Sequence, residues 1–189
     1  LAMASNTEKG ISVQVRMSFI ADDEPLARVS GPFNAVSIFG DAVGHTLYLG
    51  RGAGMLPTAS AIVADVIEVS RGNAANIFRT TAGLGKPAQP AVLCPAEETM
   101  SKFYLRINAA DKPGVFAKVC TILGSHDISI MSCLQQEAEE ENAAFVPVII
   151  MTHVAQQGNM NNALKEIADL PTIKDTPICI PVVTPPSDE

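Results

Sequence analysis

Phe103-Tyr104-Leu105-Arg106-Ile107-Asn108, followed by Asp111-Lys112-Pro113-Gly114-Val115, is the stretch from which the fold can be read. Phe103, Leu105 and Ile107 alternate with Tyr104, Arg106 and Asn108, the two-residue period of a strand with one buried face. Pro113 and Gly114 interrupt that period with a turn. Phe116, Val119, Ile122 and Leu123 then recur at three- and four-residue spacing, which predicts a helix that Gly124 can end. Further along, residues 128–134 and 143–152 read as strands joined through an acidic loop. Met160, Ala163, Leu164 and Ile167 mark a second helix face, and residues 178–183 a last strand. Strand, helix, strand, strand, helix, strand over residues 102–185 is the ferredoxin-like βαββαβ order. Two helices cover one face of a four-stranded sheet, so the other face or an edge is left for a partner. Pro147 falls inside the third strand, which is central in this arrangement, and it cannot donate to the ladder; a bulge would reconcile the two, and the sequence does not show one.

Toward the amino terminus, residues 1–72 are strand-rich and end in a helix. Ile11-Ser12-Val13-Gln14-Val15-Arg16-Met17 alternates apolar and polar residues, as a half-buried strand does. Residues 33–39 and 46–49 read as two more strands, with Gly40-Asp41-Ala42-Val43-Gly44 as the hairpin turn. Asp22, Asp23 and Glu24 read as a solvated turn. Pro57 suits the first turn of a helix whose apolar face is Ala59, Ile62, Val63, Val66 and Ile67, and Gly72 is a natural stop. Residues 73–101, rich in Ala, Gly and Pro, read as a linker with a short helix near 73–78. The expected organisation is α+β, with segments 1–72, 73–101 and 102–185.

Composition excludes several classes. With 13 Lys+Arg against 20 Asp+Glu the net charge is −7, and no basic stripe exists to replace phosphate counterions, so nucleic acid is not an expected partner. Hydrophobic residues make up 47% and mean hydropathy is +0.21, ample for a core. No apolar run approaches the roughly 20 residues of a membrane span. The sequence shows no basic amino-terminal region followed by an apolar stretch, so no signal peptide is expected, and Leu1-Ala2-Met3-Ala4 reads as the interior of a longer chain. Cys94, Cys120, Cys133 and Cys179 form no CxxC pair, and the last three lie in apolar segments. They are expected to be reduced core residues of a cytoplasmic protein. His45, His126 and His153 are scattered, and Glu137, Glu139, Glu140 and Glu141 suit a solvated loop, so no metal site is expected.

Two motifs could carry chemistry. Gly50-Arg51-Gly52-Ala53-Gly54 lies between a strand and a helix, where glycines admit close backbone approach and a helix amino terminus favours anions. Met55 breaks the GxGxxG spacing, so the loop is either a tight structural turn or a place for a nucleotide phosphate or nicotinamide edge. Asp111-Lys112-Pro113-Gly114-Val115 opens a helix whose free N–H groups can receive a carboxylate, such as that of an amino acid; the alternative is an ordinary strand-to-helix turn.

The run Pro25-Leu26-Ala27-Arg28-Val29, Phe33-Asn34-Ala35-Val36, Gly40-Asp41-Ala42-Val43-Gly44, Gly50-Arg51-Gly52-Ala53-Gly54 and Pro57-Thr58-Ala59-Ser60-Ala61, ending at Asp65, resembles the strand-rich end of the homoserine dehydrogenase catalytic domain. The resemblance covers roughly the first 72 residues. It implies NAD- or NADP-dependent interconversion of homoserine and aspartate semialdehyde, with Gly50, Gly52, Ala53 and Gly54 near the cofactor. The family's catalytic lysine, acidic residues and Rossmann domain lie upstream of the matching segment, so no catalytic residue is assigned here and the chain alone is expected to be inactive. The turn at Asp111, the helix after it and Asp127-Ile128-Ser129-Ile130 resemble an ACT domain over residues 102–183. That resemblance implies an amino-acid effector lined by Asp111, Lys112, Pro113, Gly114, Val115, Ile128 and Ser129, and a homo-oligomer formed through the ACT domain. Threonine is the effector expected of a homoserine dehydrogenase. The competing expectations are a non-catalytic ACT module that binds an amino acid, and an ACT domain that only holds a dimer together.

Overall fold

The structure, a computed structural model, describes residues 1–83, 90–135 and 144–185. The chain begins with β1 (Ala2–Thr7), β2 (Gly10–Val15) and β3 (Phe19–Ile20), then a 3-10 turn at Pro25–Arg28. Next come β4 (Phe33–Gly40), β5 (Gly44–Arg51), α1 (Met55–Ser70) and α2 (Asn73–Gly83). After a 3-10 turn at Ala96–Glu98 follow β6 (Met100–Ala110), α3 (Val115–Ser125), β7 (Ile130–Gln135), β8 (Phe145–Thr152), β9 (Ala155–Gln156), α4 (Gln157–Ala168) and β10 (Ile173–Val183). The contacts divide the chain into two units, Leu1–Ile20 with Val92–Thr184, and Ala21–Ala91 with Pro185–Glu189.

The first unit contains the expected βαββαβ sheet, with strands ordered β10, β6, β8, β7 and every neighbouring pair antiparallel. Its core follows the sequence periods. Phe103, Leu105, Ile107 and Ala109 from β6 and Val146, Val148 and Ile150 from β8 are buried, as are Val119, Ile122 and Leu123 of α3 and Met160, Ala163 and Ile167 of α4. Thr152 is the polar exception in that face, and its hydroxyl accepts the Phe103 N–H at 3.0 Å, which removes the penalty of burying either group unpaired.

Pro147 needs no bulge. The β6–β8 register is unbroken from Tyr104↔Met151 to Ala110↔Phe145, and the irregularity lies instead in β7, between Ile130 and Ser132. The Asp111 N–H donates to the Ala144 carbonyl at 3.3 Å. Hydrogen-bonded pairs alternate along an antiparallel ladder, so Asn108↔Pro147 is a non-bonded pair and the missing N–H faces β7. The described part of β7 ends at Gln135, opposite Val148, one residue short of Pro147.

Leu1–Ile20 belongs with this sheet rather than with the residues that follow it. β3 lies parallel to β10, Phe19 beside Val182 and Ile20 beside Val183. The Ile11 N–H donates to the Val92 carbonyl at 2.8 Å, and the Cys94 N–H to the Ile11 carbonyl at 3.0 Å, so part of the expected linker is tied to β2. β2 is the strand its period predicts, with the faces exchanged. Ser12 is 4% exposed and Gln14 and Arg16 are half-buried, while Val13, Val15 and Met17 are open to solvent.

In the second unit β4 and β5 form the expected hairpin, in register from Phe33↔Arg51 to Gly40↔Gly44. α1 starts two residues ahead of Pro57, and α2 runs past the short helix expected near residues 73–78. The predicted face of α1 is not buried: Ala59, Ile62, Val63, Val66 and Ile67 are all exposed, and no described residue of the unit is buried. Two strands and two helices supply no second layer, and a helix apolar on most of its circumference is one that packs inside a larger body. The cysteines also depart from expectation. Cys133 is exposed, and Cys120 and Cys179 are half-buried, Cys179 packing against the core. The four glutamates of the acidic loop lie outside the described residues.

Candidate functional site

The glycine loop follows directly from β5. The Gly52 N–H donates to the Pro32 carbonyl at 3.3 Å, and the Asn34 side chain occupies the place where a Cβ on Gly52 would stand. Glycine is therefore the residue that lets β4 and the loop close up. Gly54 caps the 16-residue α1 and has no side chain to bond its first turn. The Thr58 N–H returns to the Gly54 carbonyl at 3.1 Å, Pro57 has no N–H, and the Met55 and Leu56 amides have no backbone acceptor among the described residues. The loop thus offers two unpaired donors at the positive end of a helix, with Arg51 beside it, its guanidinium 5.4 Å from the centre of the Phe33 ring. Gly50, Gly52, Ala53 and Gly54 are all exposed here. That arrangement suits one anionic or carboxamide edge of a dinucleotide.

The second candidate lies where β6 runs into α3. Gly114 holds φ +86 as the residue before the helix, with no side-chain cap, and nothing lies within 4 Å of the point where a Cβ would stand. Lys112 N–H donates to the Ala110 carbonyl at 2.8 Å and Val115 N–H to the Lys112 carbonyl at 3.3 Å, which folds the turn back on itself. The amides of Gly114, Phe116 and Ala117 have no backbone acceptor among the described residues. At the start of the same turn a carboxylate oxygen of Asp111 accepts from the Gln135 amide at 3.3 Å. Free donors for a carboxylate and an anionic side chain for an ammonium group, carried by one turn, are the two complements an amino acid requires.

Two of the expected effector residues, Val115 and Ile128, have core side chains, 5% and 3% exposed, so only their backbone can face a ligand. Ile128 and Ser129 also stand at the other end of the sheet. Ser129 accepts the His153 N–H at 2.9 Å, next to the Phe103–Thr152 level, whereas Asp111 meets Ala144. From Phe103 to Asp111 is eight strand steps, about 26 Å at roughly 3.3 Å each. The structure brings together Asp111, Lys112, Pro113 and Gly114 and does not bring Ile128 or Ser129 to them within one chain. It adds residues the sequence reading missed: Gln135, the Asn108 amide donating to Asp175 at 3.3 Å, and Lys174 positioned 6.0 Å from the Phe145 ring centre. These meet only through strand register, which leaves no local sequence signal.

Among the described residues no helix is long and apolar enough to cross a membrane. Residues 1–67 match the homoserine dehydrogenase family model and residues 103–172 that of the ACT domain. The chain is 42% identical over 175 residues to a homoserine dehydrogenase of Pseudomonas aeruginosa, with 90% of this chain aligned, and 38% identical over 177 residues to that of Helicobacter pylori, with 94% aligned. In both cases it spans 40% of the relative's length. A crystal structure of a homoserine dehydrogenase from Thiobacillus denitrificans superposes with a TM-score of 0.81 at 34% identity, covering 95% of this chain and 41% of that one. One chain thus carries the dehydrogenase-type segment, the ferredoxin-like sheet and both family matches in the same order, and it belongs to the homoserine dehydrogenase family, as a part that includes an ACT domain.

Proposed function

We propose that this chain is part of an NAD(P)-dependent homoserine dehydrogenase, which interconverts homoserine and aspartate semialdehyde, and that its ACT domain senses an amino acid, threonine in the first instance. In this reading Gly50, Gly52, Ala53 and Gly54 with the Met55 and Leu56 amides hold an edge of the dinucleotide, whose nicotinamide ring takes up or gives the hydride when bound. The protein's own contribution at that loop is positioning and close backbone approach. The acid–base chemistry and the rest of the dinucleotide site are assigned to the portion of the family protein that this chain does not span, so the chain alone does not turn over homoserine.

The observation that carries the regulatory half is that the turn opened by Asp111 leads into three amides, at Gly114, Phe116 and Ala117, with no backbone acceptor among the described residues. There the effector carboxylate sits on the helix start and its ammonium group on Asp111. Two copies pairing through the ACT domain make the homo-oligomer. The reading is tested in the complete natural protein, by homoserine-dependent reduction of NAD and of NADP, with and without threonine, isoleucine, methionine or lysine. Turnover without inhibition by any of the four removes the regulatory half, and no turnover with either cofactor removes the enzyme.

A second reading is favoured by one contrast. The unit holding the ACT match has a closed core, whereas no described residue of Ala21–Ala91 is buried. On that ground the chain can serve as an amino-acid-binding or dimerisation module with no catalysis. Calorimetric binding of threonine to a protein that never reduces NAD(P) would select it.

A further inference from the structure

The residues that match the dehydrogenase family begin inside the sensing unit. β2 and β3 lie within the 1–67 match, yet both fall in the unit of the carboxy-terminal sheet, which β3 joins along β10. What holds them is polar. Arg16 reaches inward from the end of β2 and makes two short hydrogen bonds, Nη1 to Gln157 Oε1 and Nη2 to Ser101 Oγ, each 2.7 Å. Gln157 is the first residue of α4, and its amide donates on to Asn161 at 2.9 Å; Ser101 lies at the start of β6, paired with Ala155 of β9. One guanidinium therefore ties three elements, and its planar fork fixes their mutual geometry in a way an ammonium cannot. Arg16 Nε and the Gln14 and Ser18 side-chain oxygens are buried without partners, so the two Arg16 bonds are the inward polar contacts that this stretch makes to α4 and β6. Beyond Arg16 the chain lays only Phe19 and Ile20 along β10, with the Phe19 ring edge-on to Tyr104 at 5.0 Å. A two-residue parallel pairing is weak by itself. Directly after Ile20 the chain enters the unit that carries the glycine loop.

We infer that residues 14–20 are a coupling strap, clasped by Arg16 to Ser101 and Gln157, through which a shift of β6 or α4 on effector binding is passed along the chain to the dehydrogenase segment. Arg16 is a positioning residue in this device and touches neither ligand. The inference rests on the regulated-dehydrogenase reading above. Coupling between two sites is reciprocal, so it can be read from effector affinity alone.

The experiment uses the complete natural protein and measures the threonine dissociation constant by calorimetry with and without homoserine and the cofactor. In the wild type the two values differ by the coupling factor, which typically lies between about 5 and 150. In Arg16→Ala the factor falls to near 1, while threonine binding without substrate and uninhibited turnover stay within about threefold of wild type, roughly 0.7 kcal/mol or less. Gln157→Ala does the same from the other side of the clasp, and Gln157→Glu, which keeps an acceptor for Arg16, retains the coupling; this pair decides the matter if Arg16→Ala does not fold. A wild-type factor above 1 that survives unchanged in Arg16→Ala or Gln157→Ala overturns the strap and leaves the functional reading intact. A wild-type factor of 1 with threonine, isoleucine, methionine and lysine alike overturns the regulatory reading and the strap with it.

Discussion

Replacing Gly114 separates two roles that the residue combines. It holds φ +86 immediately before α3, and the space where a Cβ would stand is open. The cost of a side chain there is conformational rather than steric. A non-glycine residue held in the left-handed region costs on the order of 1–3 kcal/mol, and a β-branched one sits at the upper end. Gly114→Ala should lose about 1 kcal/mol and Gly114→Val about 2–3. For a domain of this size that corresponds to a drop in Tm of about 4–8 °C per kcal/mol. Only valine also fills the open space at the turn with two methyl groups. The expected pattern is a graded loss of stability in calorimetric melts, with threonine binding weakened modestly in Gly114→Ala and abolished in Gly114→Val. The dimer should persist in both. Equal stability of wild type and Gly114→Ala would refute the strain argument, and undiminished threonine affinity in Gly114→Val would take the turn out of the effector site.

Other substitutions probe the remaining elements. Gly52→Val drives a side chain onto Asn34, so in the complete natural protein it should raise KM for NAD(P) more than KM for homoserine; the reverse ratio would assign the loop to the substrate. Ile150→Ala empties a fully buried position of β8 and should cost about 2–5 kcal/mol, readable as a fall in the denaturant midpoint of the ACT domain; a loss under about 1 kcal/mol would mean the core is not the one described. Burial pushes the Cys179 thiol up to about 11, with the neighbouring Arg16 opposing part of the shift. The folded state therefore holds the Cys179 proton more tightly than the unfolded chain. Its stabilising contribution is complete below the ordinary value of 9.0 and is lost as pH rises through about 11. Maleimide at pH 8 should label the exposed Cys133 well before Cys179, and equal labelling rates would contradict that burial.

How far the sequence could be read depended on where each segment finds its packing partner. Phe103, Leu105 and Ile107, and Val119, Ile122 and Leu123, pack on one another within the chain, so their periods and their burial agree. α1 shows the same quality of pattern, and its helix is where the pattern puts it, but among the described residues of its own unit nothing covers Ile62, Val63 and Val66. In β2 the alternation gave the strand and misled about its faces, because a hydrogen-bonding clasp at Arg16 draws in the polar side and turns Val13 and Val15 outward. β3 is too short to carry a period at all. Of the candidate site, the Asp111–Gly114 turn was legible from Pro and Gly after an alternating run, whereas Gln135 reaches Asp111 only through the register of β7 on β8. Pro147 shows the same limit. Its tolerance depends on which neighbour its missing N–H faces, and that is a property of the ladder.

The separation of Ser129 from the Asp111 turn has a consequence for stoichiometry. An amino acid spans only a few ångströms, and the two places lie about 26 Å apart along the sheet of one chain, counting eight strand steps of roughly 3.3 Å. If both line one effector site, they come from different copies, and each site of a two-fold dimer then takes its turn from one copy and its Ser129 from the other. Gly114→Val removes the turn and Ser129→Leu, at an exposed position, blocks the opposite wall, so either variant as a homodimer should bind no threonine. In a mixed dimer both lesions fall into the same site, and the other site is intact. Co-expressing the two under different affinity tags and isolating the mixed dimer should therefore restore half of the wild-type binding stoichiometry at unchanged affinity. No restored binding in the mixed dimer, or full binding by the Ser129→Leu homodimer, would confine the site to the Asp111 turn of a single copy.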